Sequence, residues 1–227
     1  YAGLIQNPYP LGVEIGSKSN SLGFHGESEH GLSVNINGQD PSGFYSLING
    51  LAGESPANIP SSDYGDELEY IIQTDALSNT YSEAISNSFN NGQNIESYPD
   101  TDISNQLKTV ARLISGGLES KIYMVKLSGF DTHFNQNQGQ NDILGDHNNL
   151  LTKLSEAVNA FTKDLAALNL QNDVVGLTYS EFGRKAAENG SLGTDHGEIL
   201  SELEGNGPNA RLALPCPAAL DVSRSLV

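Results

Sequence analysis

The sequence predicts an α/β protein with a mostly parallel sheet sandwiched by helices and preceded by a loop-rich N-terminal region. Short apolar runs alternate with long amphipathic patterns through the second half of the chain. Two of these runs end in polar motifs, and a right-handed crossover between them would make their strands parallel. We expect one domain over residues 1–227, with loops and short strands at 1–65 and a tail at 199–227 that matches no element.

The elements of this fold follow from local patterns of apolar residues, caps and breakers. Glycine, proline and asparagine interrupt the first 65 residues, so only short strands are predicted there. The predicted strands are Leu11–Ile15, Ser21–Phe24, Leu32–Ile36, Lys121 to Leu127 and Val174 to Tyr179. The first predicted helix runs from Asp66 to Phe89, and the second is capped by Asp100 or Thr101 and ended by Gly116-Gly117. The third runs from His147 to Leu168 and is capped by Asp146.

The composition excludes several classes of function. Lys and Arg total 11 against 28 Asp and Glu, a formal charge of −17, which argues against nucleic acid or an anionic membrane surface as a partner. No apolar run is long enough to predict a membrane span. The single cysteine, Cys216, excludes an internal disulfide and a cysteine-rich metal site.

The first motif that could carry chemistry is Gly129-Phe130-Asp131-Thr132-His133, which follows the strand predicted at Lys121 to Leu127. Asp131 and His133 are two residues apart, so on an extended segment their side chains face the same way and could meet one ion. Carboxylate oxygen and neutral imidazole both bind zinc-like ions. The alternative is an aspartate that caps a turn and a histidine that bonds a carbonyl.

The second motif, Thr194-Asp195-His196-Gly197, follows a glycine- and asparagine-rich turn. Side chains of the adjacent Asp195 and His196 diverge, which suits two ions or one ion and a bridging role. The flanking Gly193 and Gly197 permit an unusual backbone and close approach by a ligand. A polar turn is the alternative. Because side chains beyond the carboxyl ends of parallel strands line the crevice of α/β enzymes, we expect Asp131 and Glu181 to lie at one edge of the sheet.

Three further residues are candidates near these motifs. Glu181 and Arg184 lie in Ser180-Glu181-Phe182-Gly183-Arg184, where Glu181 could act as a base or ligand and Arg184 could hold a phosphate or sulfate. An ion pair between the two that holds the loop is the alternative. His147 could be a ligand, since a helix N-terminus disfavours protonated imidazole, or simply the exposed start of its helix.

The two motifs, together with Tyr179-Ser180-Glu181-Phe182-Gly183-Arg184 and Glu188-Asn189-Gly190-Ser191, resemble the bacterial DUF1501 family over roughly residues 100–198. By fold that family is similar to the alkaline phosphatase and sulfatase superfamily. The resemblance implies an alkaline-phosphatase-like α/β/α sandwich that binds metal. It implies that Asp195 and His196 match the superfamily's Asp-His-Gly motif and that Asp131 and His133 supply the other metal position.

The resemblance also sets expectations beyond the ligands. Family members often carry a twin-arginine leader, which implies export or a periplasmic location, although no leader is visible here. The superfamily places a first metal-binding aspartate and the nucleophile in an N-terminal segment that has no counterpart in residues 1–50. We therefore expect this chain to start downstream of that segment and to hold part of a site.

Two functions follow as hypotheses. The first is a metal-dependent hydrolase of phosphate or sulfate esters, an analogy at the level of fold, in which two zinc, manganese or calcium ions are held by Asp131, His133, Asp195 and His196. Glu181 and Arg184 would then act in catalysis on a small-molecule or polymeric ester. The second is a non-catalytic module that binds metal, carbohydrate or a partner on the same fold.

Overall fold

The computed structural model describes residues 9–16, 33–36, 59–137, 145–180 and 182–197. These residues form two compact units. The first unit holds residues 1–127 and 154–169, and the second holds 128–153 and 170–227. Within the described ranges, no helix combines the length and apolar character that crossing a membrane requires.

A small parallel sheet lies in the first unit. Its strands are β1 (Gly12–Ile15), β2 (Ser33–Ile36) and β3 (Ile122–Val125), in the order β2-β1-β3. Both pairings are parallel, with Gly12 opposite Ser33 on one side and Ile122 on the other. The sequence prediction of an α/β protein with parallel strands is confirmed for these strands. The strand predicted at Ser21–Phe24 lies outside the described residues.

The first helix, α1 (Asp63–Asn91), begins three residues before the predicted start. Its cap is Ser62, whose hydroxyl accepts a hydrogen bond from the backbone N–H of Gly65 at 3.3 Å. A side chain at position 65 would collide with the carbonyl of Pro60, so the first turn requires glycine there. The helix ends where the N–H of Gly92 bonds the carbonyl of Ser88, as the Asn-Asn-Gly sequence predicts.

Two more helices complete the described elements of this kind. Helix α2 (Asp102–Ser115) starts at the cap Thr101, which accepts from Ser104 N–H, and stops at Gly116. Helix α3 (Asp146–Ala167) begins at Asp146 itself, one residue before the predicted start. Gly92 and Gly116 let α1 and α2 approach closely at their ends, because a Cβ at either would meet a carbonyl of the other segment.

The hydrophobic core of the first unit packs the helices on the strands. One cluster joins Val13 and Ile15 of β1 to apolar side chains of α1 and α2. A second cluster joins Ile103 and Leu107 of α2 to Ala157 of α3. The fully or almost fully buried apolar side chains of both clusters are Val13, Ile15, Tyr81, Ile85, Ile103, Val110, Leu113, Leu118 and Ala157. Burial of these side chains is the main source of stability for the unit.

A buried glutamine of α2 ends the pairing of β1 with β3. The Gln106 amide donates to the carbonyl of Lys126 at 3.1 Å and accepts from its N–H at 2.8 Å. Both backbone groups of Lys126 are thus occupied one residue past Val125, the last residue of β3. Gly16 packs against the same amide, where a Cβ would clash. This explains why β3 ends before the predicted Leu127.

The second unit contains a short antiparallel ribbon of β4 (Gly183–Arg184) and β5 (His196–Gly197). The strand predicted from Val174 to Tyr179 is wrong, because residues 174–180 form no strand in the described structure. Val175 and Leu177 are 70% and 83% exposed. Alternating apolar residues indicate a strand only where a neighbouring strand accepts its backbone hydrogen bonds. The second motif therefore lies on a ribbon rather than beyond a sheet strand.

Candidate metal centre

The ribbon brings the Phe182-Gly183-Arg184 segment against the Asp-His-Gly motif. Gly183 lies opposite Gly197 and Arg184 opposite His196. The pairing continues where Lys185 N–H donates to the Asp195 carbonyl at 3.0 Å. Asn189 N–H donates to the Gly193 carbonyl at 3.0 Å and closes the turn. The backbone of residues 183–197 thus forms one hairpin that presents His196 beside Arg184.

The segment directly after the first motif is attached to the turn of this hairpin by its backbone. Asn135 N–H donates to the Ser191 carbonyl, and Asn137 N–H donates to the Leu192 carbonyl, both at 3.3 Å. Gly193 packs so closely on the His133 carbonyl that a Cβ there would collide with the backbone. The close approach at Gly193 is made by the protein's own backbone at His133, whereas the sequence predicted an approach by a ligand. Leu192 adopts a left-handed φ of 58°, an uncommon conformation for leucine that marks a constrained turn.

Asp131 is the centre of the side-chain cluster. Its Oδ1 atom lies 2.7 Å from Nε2 of His196 and 2.9 Å from Nε2 of His133. The three residues can offer one oxygen and two nitrogen ligand atoms within 4.8 Å of one another, although the aspartate and His196 are exposed and His133 is half-buried. The two motifs therefore meet, 65 residues apart along the chain at Asp131 and His196.

Arg184 holds the cluster together through hydrogen bonds from its largely buried guanidinium. One terminal nitrogen of its guanidinium, Nη2, donates to the Phe130 carbonyl at 2.7 Å and to Asp131 Oδ1 at 2.9 Å. The other, Nη1, donates to the Thr194 carbonyl. With only 12% of its side chain exposed, Arg184 binds both motif segments at once. Its two terminal nitrogens are thus occupied by acceptors of the protein itself.

His133 lies between two carboxylates. Its Nε2 faces Asp131, and its Nδ1 lies 3.4 Å from Oδ1 of Asp195. Asn189 connects the same groups, because its Nδ2 donates to the His133 carbonyl at 2.7 Å and to Asp195 Oδ1 at 3.3 Å. Lys185 Nζ lies 3.7 Å from Oδ2 of Asp195. Asp195 therefore contacts His133 at the ring nitrogen that does not face Asp131.

An aromatic ring supports His196. The Phe182 ring stacks on the imidazole with centroids 3.9 Å apart and planes inclined by 15°. The Arg184 guanidinium lies 5.0 Å from the centre of the same phenyl ring. The His133 and His196 rings are 4.9 Å apart. The stack restricts rotation of the imidazole and holds its Nε2 on Asp131.

The pKa values of both aspartates are lowered. For Asp131 the hydrogen bond with His196 is the main cause, followed by the charge of His133 and the hydrogen bond from Arg184. For Asp195 the hydrogen bond from Asn189 contributes most, with smaller effects of His133 and Lys185. Both carboxyl groups are therefore ionised near neutral pH, as a metal ligand or an acceptor from imidazole must be.

His147 lies beside the cluster, at the first turn of α3. Its ring meets the Phe130 ring edge-on, with centroids 5.8 Å apart. Burial lowers the pKa of His147, and the positive charge of Arg184 lowers it further. Its Nδ1 is buried and makes no hydrogen bond in the described structure. The alternative of an exposed helix start is therefore wrong, while His147 stays outside the three-residue cluster.

The sequence motifs identified part of this arrangement. Asp131, His133 and His196 come together, whereas Asp195 contacts His133 and is not part of that group. Glu181 falls outside the described residues. Asn189 and Phe182 were not predicted to serve the site. Asn189 matches a glycosylation acceptor pattern, yet its amide is taken up by His133 and Asp195. The signal that could have identified it was its position between two motifs in a glycine-rich turn.

The donor set of the cluster fits a divalent ion of the zinc type. One carboxylate and two imidazoles are ligands that zinc and manganese accept, whereas calcium takes oxygen ligands. Arg184 also contacts Asp131, but a carboxylate has two oxygens with about four acceptor positions, so it can serve an ion and a guanidinium together. The rings face Asp131 through Nε2 in both histidines.

Comparison with known proteins identifies the family and no individual relative. Residues 64–201 match the family described as "Protein of unknown function (DUF1501)". A search of curated proteins and a search of solved structures each returned no match. The matched range covers more than half of the chain and includes both motifs of the cluster. The chain therefore belongs to the DUF1501 family.

Proposed function

We propose that this protein is a metal-dependent hydrolase of phosphate or sulfate esters, with its metal centre at Asp131, His133 and His196. The observation that carries the proposal is the convergence of one carboxylate and two imidazoles from separate motifs. The ester class is taken from the resemblance of Asp195-His196-Gly197 to the alkaline phosphatase and sulfatase superfamily, which is an analogy at the level of fold. An alkaline-phosphatase-like sandwich is part of the same proposal.

The residues of the chain have separate roles in this proposal. A divalent ion, when bound, supplies Lewis acidity and lowers the pKa of a bound water. Asp131, His133 and His196 would hold it, and zinc or manganese is favoured over calcium by the two imidazoles. Arg184 keeps Asp131 in place and ionised. Glu181 is proposed as a base or as a residue that orients a ligand. An exported or periplasmic protein is proposed from the family resemblance.

The position of Arg184 favours a second candidate function. Three of the five N–H groups of its guanidinium donate to Phe130, Asp131 and Thr194, so both terminal nitrogens already have acceptors within the protein. An ester oxyanion held at Nη2 would have to displace Phe130 or Asp131, and the Nε atom, which has no hydrogen-bond partner among the described residues, is buried. A module that binds metal, and through it a carbohydrate or protein partner, needs no such displacement. It would retain metal and hydrolyse no ester.

The test is ester hydrolysis by the purified chain after exposure to zinc or manganese, with p-nitrophenyl phosphate and p-nitrophenyl sulfate as substrates. Metal content is measured in parallel by elemental mass spectrometry. We expect metal-dependent turnover that the variants Asp131→Asn and His196→Ala lose along with the metal. Asp173→Asn, which changes an exposed aspartate of the same unit, is the matched control and should keep both. Turnover undiminished in Asp131→Asn would overturn the proposal.

A further inference from the structure

Asp195 and Asp131 contact the His133 ring at different atoms. Asp131 Oδ1 lies 2.9 Å from Nε2, whereas Asp195 Oδ1 lies 3.4 Å from Nδ1. The two nitrogens of an imidazole point in diverging directions, and the hydrogen bond at one decides which tautomer the other presents. Asp195 is therefore placed to accept the Nδ1 proton of His133, which leaves Nε2, on the side of Asp131, as the nitrogen that a metal ion would take.

Other contacts hold Asp195 in this orientation. Its Oδ1 accepts from Asn189 Nδ2, and its Oδ2 lies 3.7 Å from Lys185 Nζ. The Asn189 amide also donates to the His133 carbonyl at 2.7 Å, so one side chain fixes both the backbone of His133 and the carboxylate beside its ring. Asp195 lies outside the set of residues whose ligand atoms fall within 4.8 Å of one another.

We propose that Asp195 is a positioning residue for His133, and that this centre takes one divalent ion through Asp131, His133 and His196. A histidine ligand commonly donates its other ring N–H to a carboxylate, which fixes the ring and makes it a stronger ligand. The inference rests on the proposed function for the presence of a metal. It replaces the expectation of four ligands for two ions with three ligands, one ion and an orienting carboxylate supported by Asn189.

Zinc titration of the full chain, followed by isothermal calorimetry and by elemental analysis of the loaded protein, tests this arrangement. Asp195→Asn keeps an oxygen that can accept from Nδ1, so zinc affinity should stay within about threefold, while Asp195→Ala should weaken it by about 10- to 100-fold. Asp131→Asn removes a ligand and should weaken binding more than either change. Circular dichroism of each variant verifies that the fold is retained.

The outcomes separate this inference from the proposed function. Loss of affinity in Asp195→Asn equal to that in Asp131→Asn would make Asp195 a direct ligand and overturn the inference, as would two zinc ions per chain. The expected pattern of affinities without any ester hydrolysis would overturn the proposed function alone. Failure of the unaltered, folded chain to bind zinc would overturn both.

Discussion

Asp164 and Asp131 each contact several hydrogen-bond donors, but the chemical groups that donate differ between the two aspartates. Asp164 in the first unit is fully buried and accepts from Asn94 Nδ2, the N–H groups of Ile95 and Glu96, and Tyr98 Oη. Asp131 in the second unit is 60% exposed, and three nitrogen atoms converge on its Oδ1 alone.

The difference in donors separates a carboxylate that stabilises the fold, Asp164, from a candidate metal ligand, Asp131. The partners of Asp164 are amide N–H groups and a hydroxyl, which donate hydrogen bonds and do not serve as metal ligands. Two partners of Asp131 are imidazoles, which can exchange a proton for a metal ion. Asp164 attaches the segment after α1 to α3, whereas the two imidazoles beside Asp131 are partly accessible to solvent. Burial and the chemistry of the donors thus distinguish the two roles better than the number of bonds.

The largest expected effect is on stability when Asp164 is removed. Asp164→Ala leaves four donors without their acceptor in a buried site, and we expect a loss of about 3 kcal/mol in the free energy of unfolding. Asp131→Ala should leave the urea midpoint nearly unchanged, because its side chain is exposed. Urea denaturation followed by circular dichroism measures both. Equal losses in the two variants would erase the comparison.

An intermediate effect concerns pH. Burial raises the pKa of Asp164, but the hydrogen bonds from Asn94, Ile95, Glu96 and Tyr98 outweigh it, so the pKa is lowered. A lowered pKa means that the ionised form stabilises the fold above the unfolded value of about 3.9 and loses that contribution as pH falls through the folded value.

The matched measurement compares the unaltered chain with Asp164→Asn by urea denaturation at a series of pH values. The stability advantage of the unaltered chain should be constant above about pH 5 and should shrink steadily as the pH falls below about 4. An advantage that grows on acidification would contradict the assignment of Asp164 as an ionised acceptor.

The smallest expected effect on stability comes from removing a single donor of Asp164, the Tyr98 hydroxyl. Tyr98→Phe removes the hydroxyl that donates to Asp164 at 2.9 Å and leaves three other donors in place. We expect a loss of about 1 kcal/mol in the free energy of unfolding, since a single hydrogen bond is deleted without a change of shape. Thermal unfolding at neutral pH detects this shift. In the Asp164→Asn background the additional loss should be smaller, which a double-mutant cycle would show.

The meeting of the two motifs could be predicted from the sequence, but their mutual geometry could not. Asp131, His133 and His196 were expected near each other because both motifs have residue types that bind metal, and the structure brings them within reach. Whether Asp195 faces an ion or a ring nitrogen depends on side-chain torsions and on the amide of Asn189. Residue spacing carries no information on either.

The fold shows the same division between local and distant causes. Both ends of α2 follow from Thr101 and Gly116, which act within one turn of the helix. The strand predicted at Val174–Tyr179 failed because a strand depends on a neighbour that lies elsewhere in the chain. The early start of α1 was missed because the cap at Ser62 precedes the first apolar residue of the periodic pattern.

The amide of Gln106, a residue of helix α2, determines where the pairing of strands β1 and β3 ends. Pairing of β1 with β3 would continue from Ile15 and Val125 to Gly16 and Lys126, but the Lys126 backbone is already occupied by that side chain. The strands separate at this residue because an amide takes the place of the next backbone partner. A substitution on α2 that shortens or removes this amide would therefore alter where two strands part, without changing a residue of either strand.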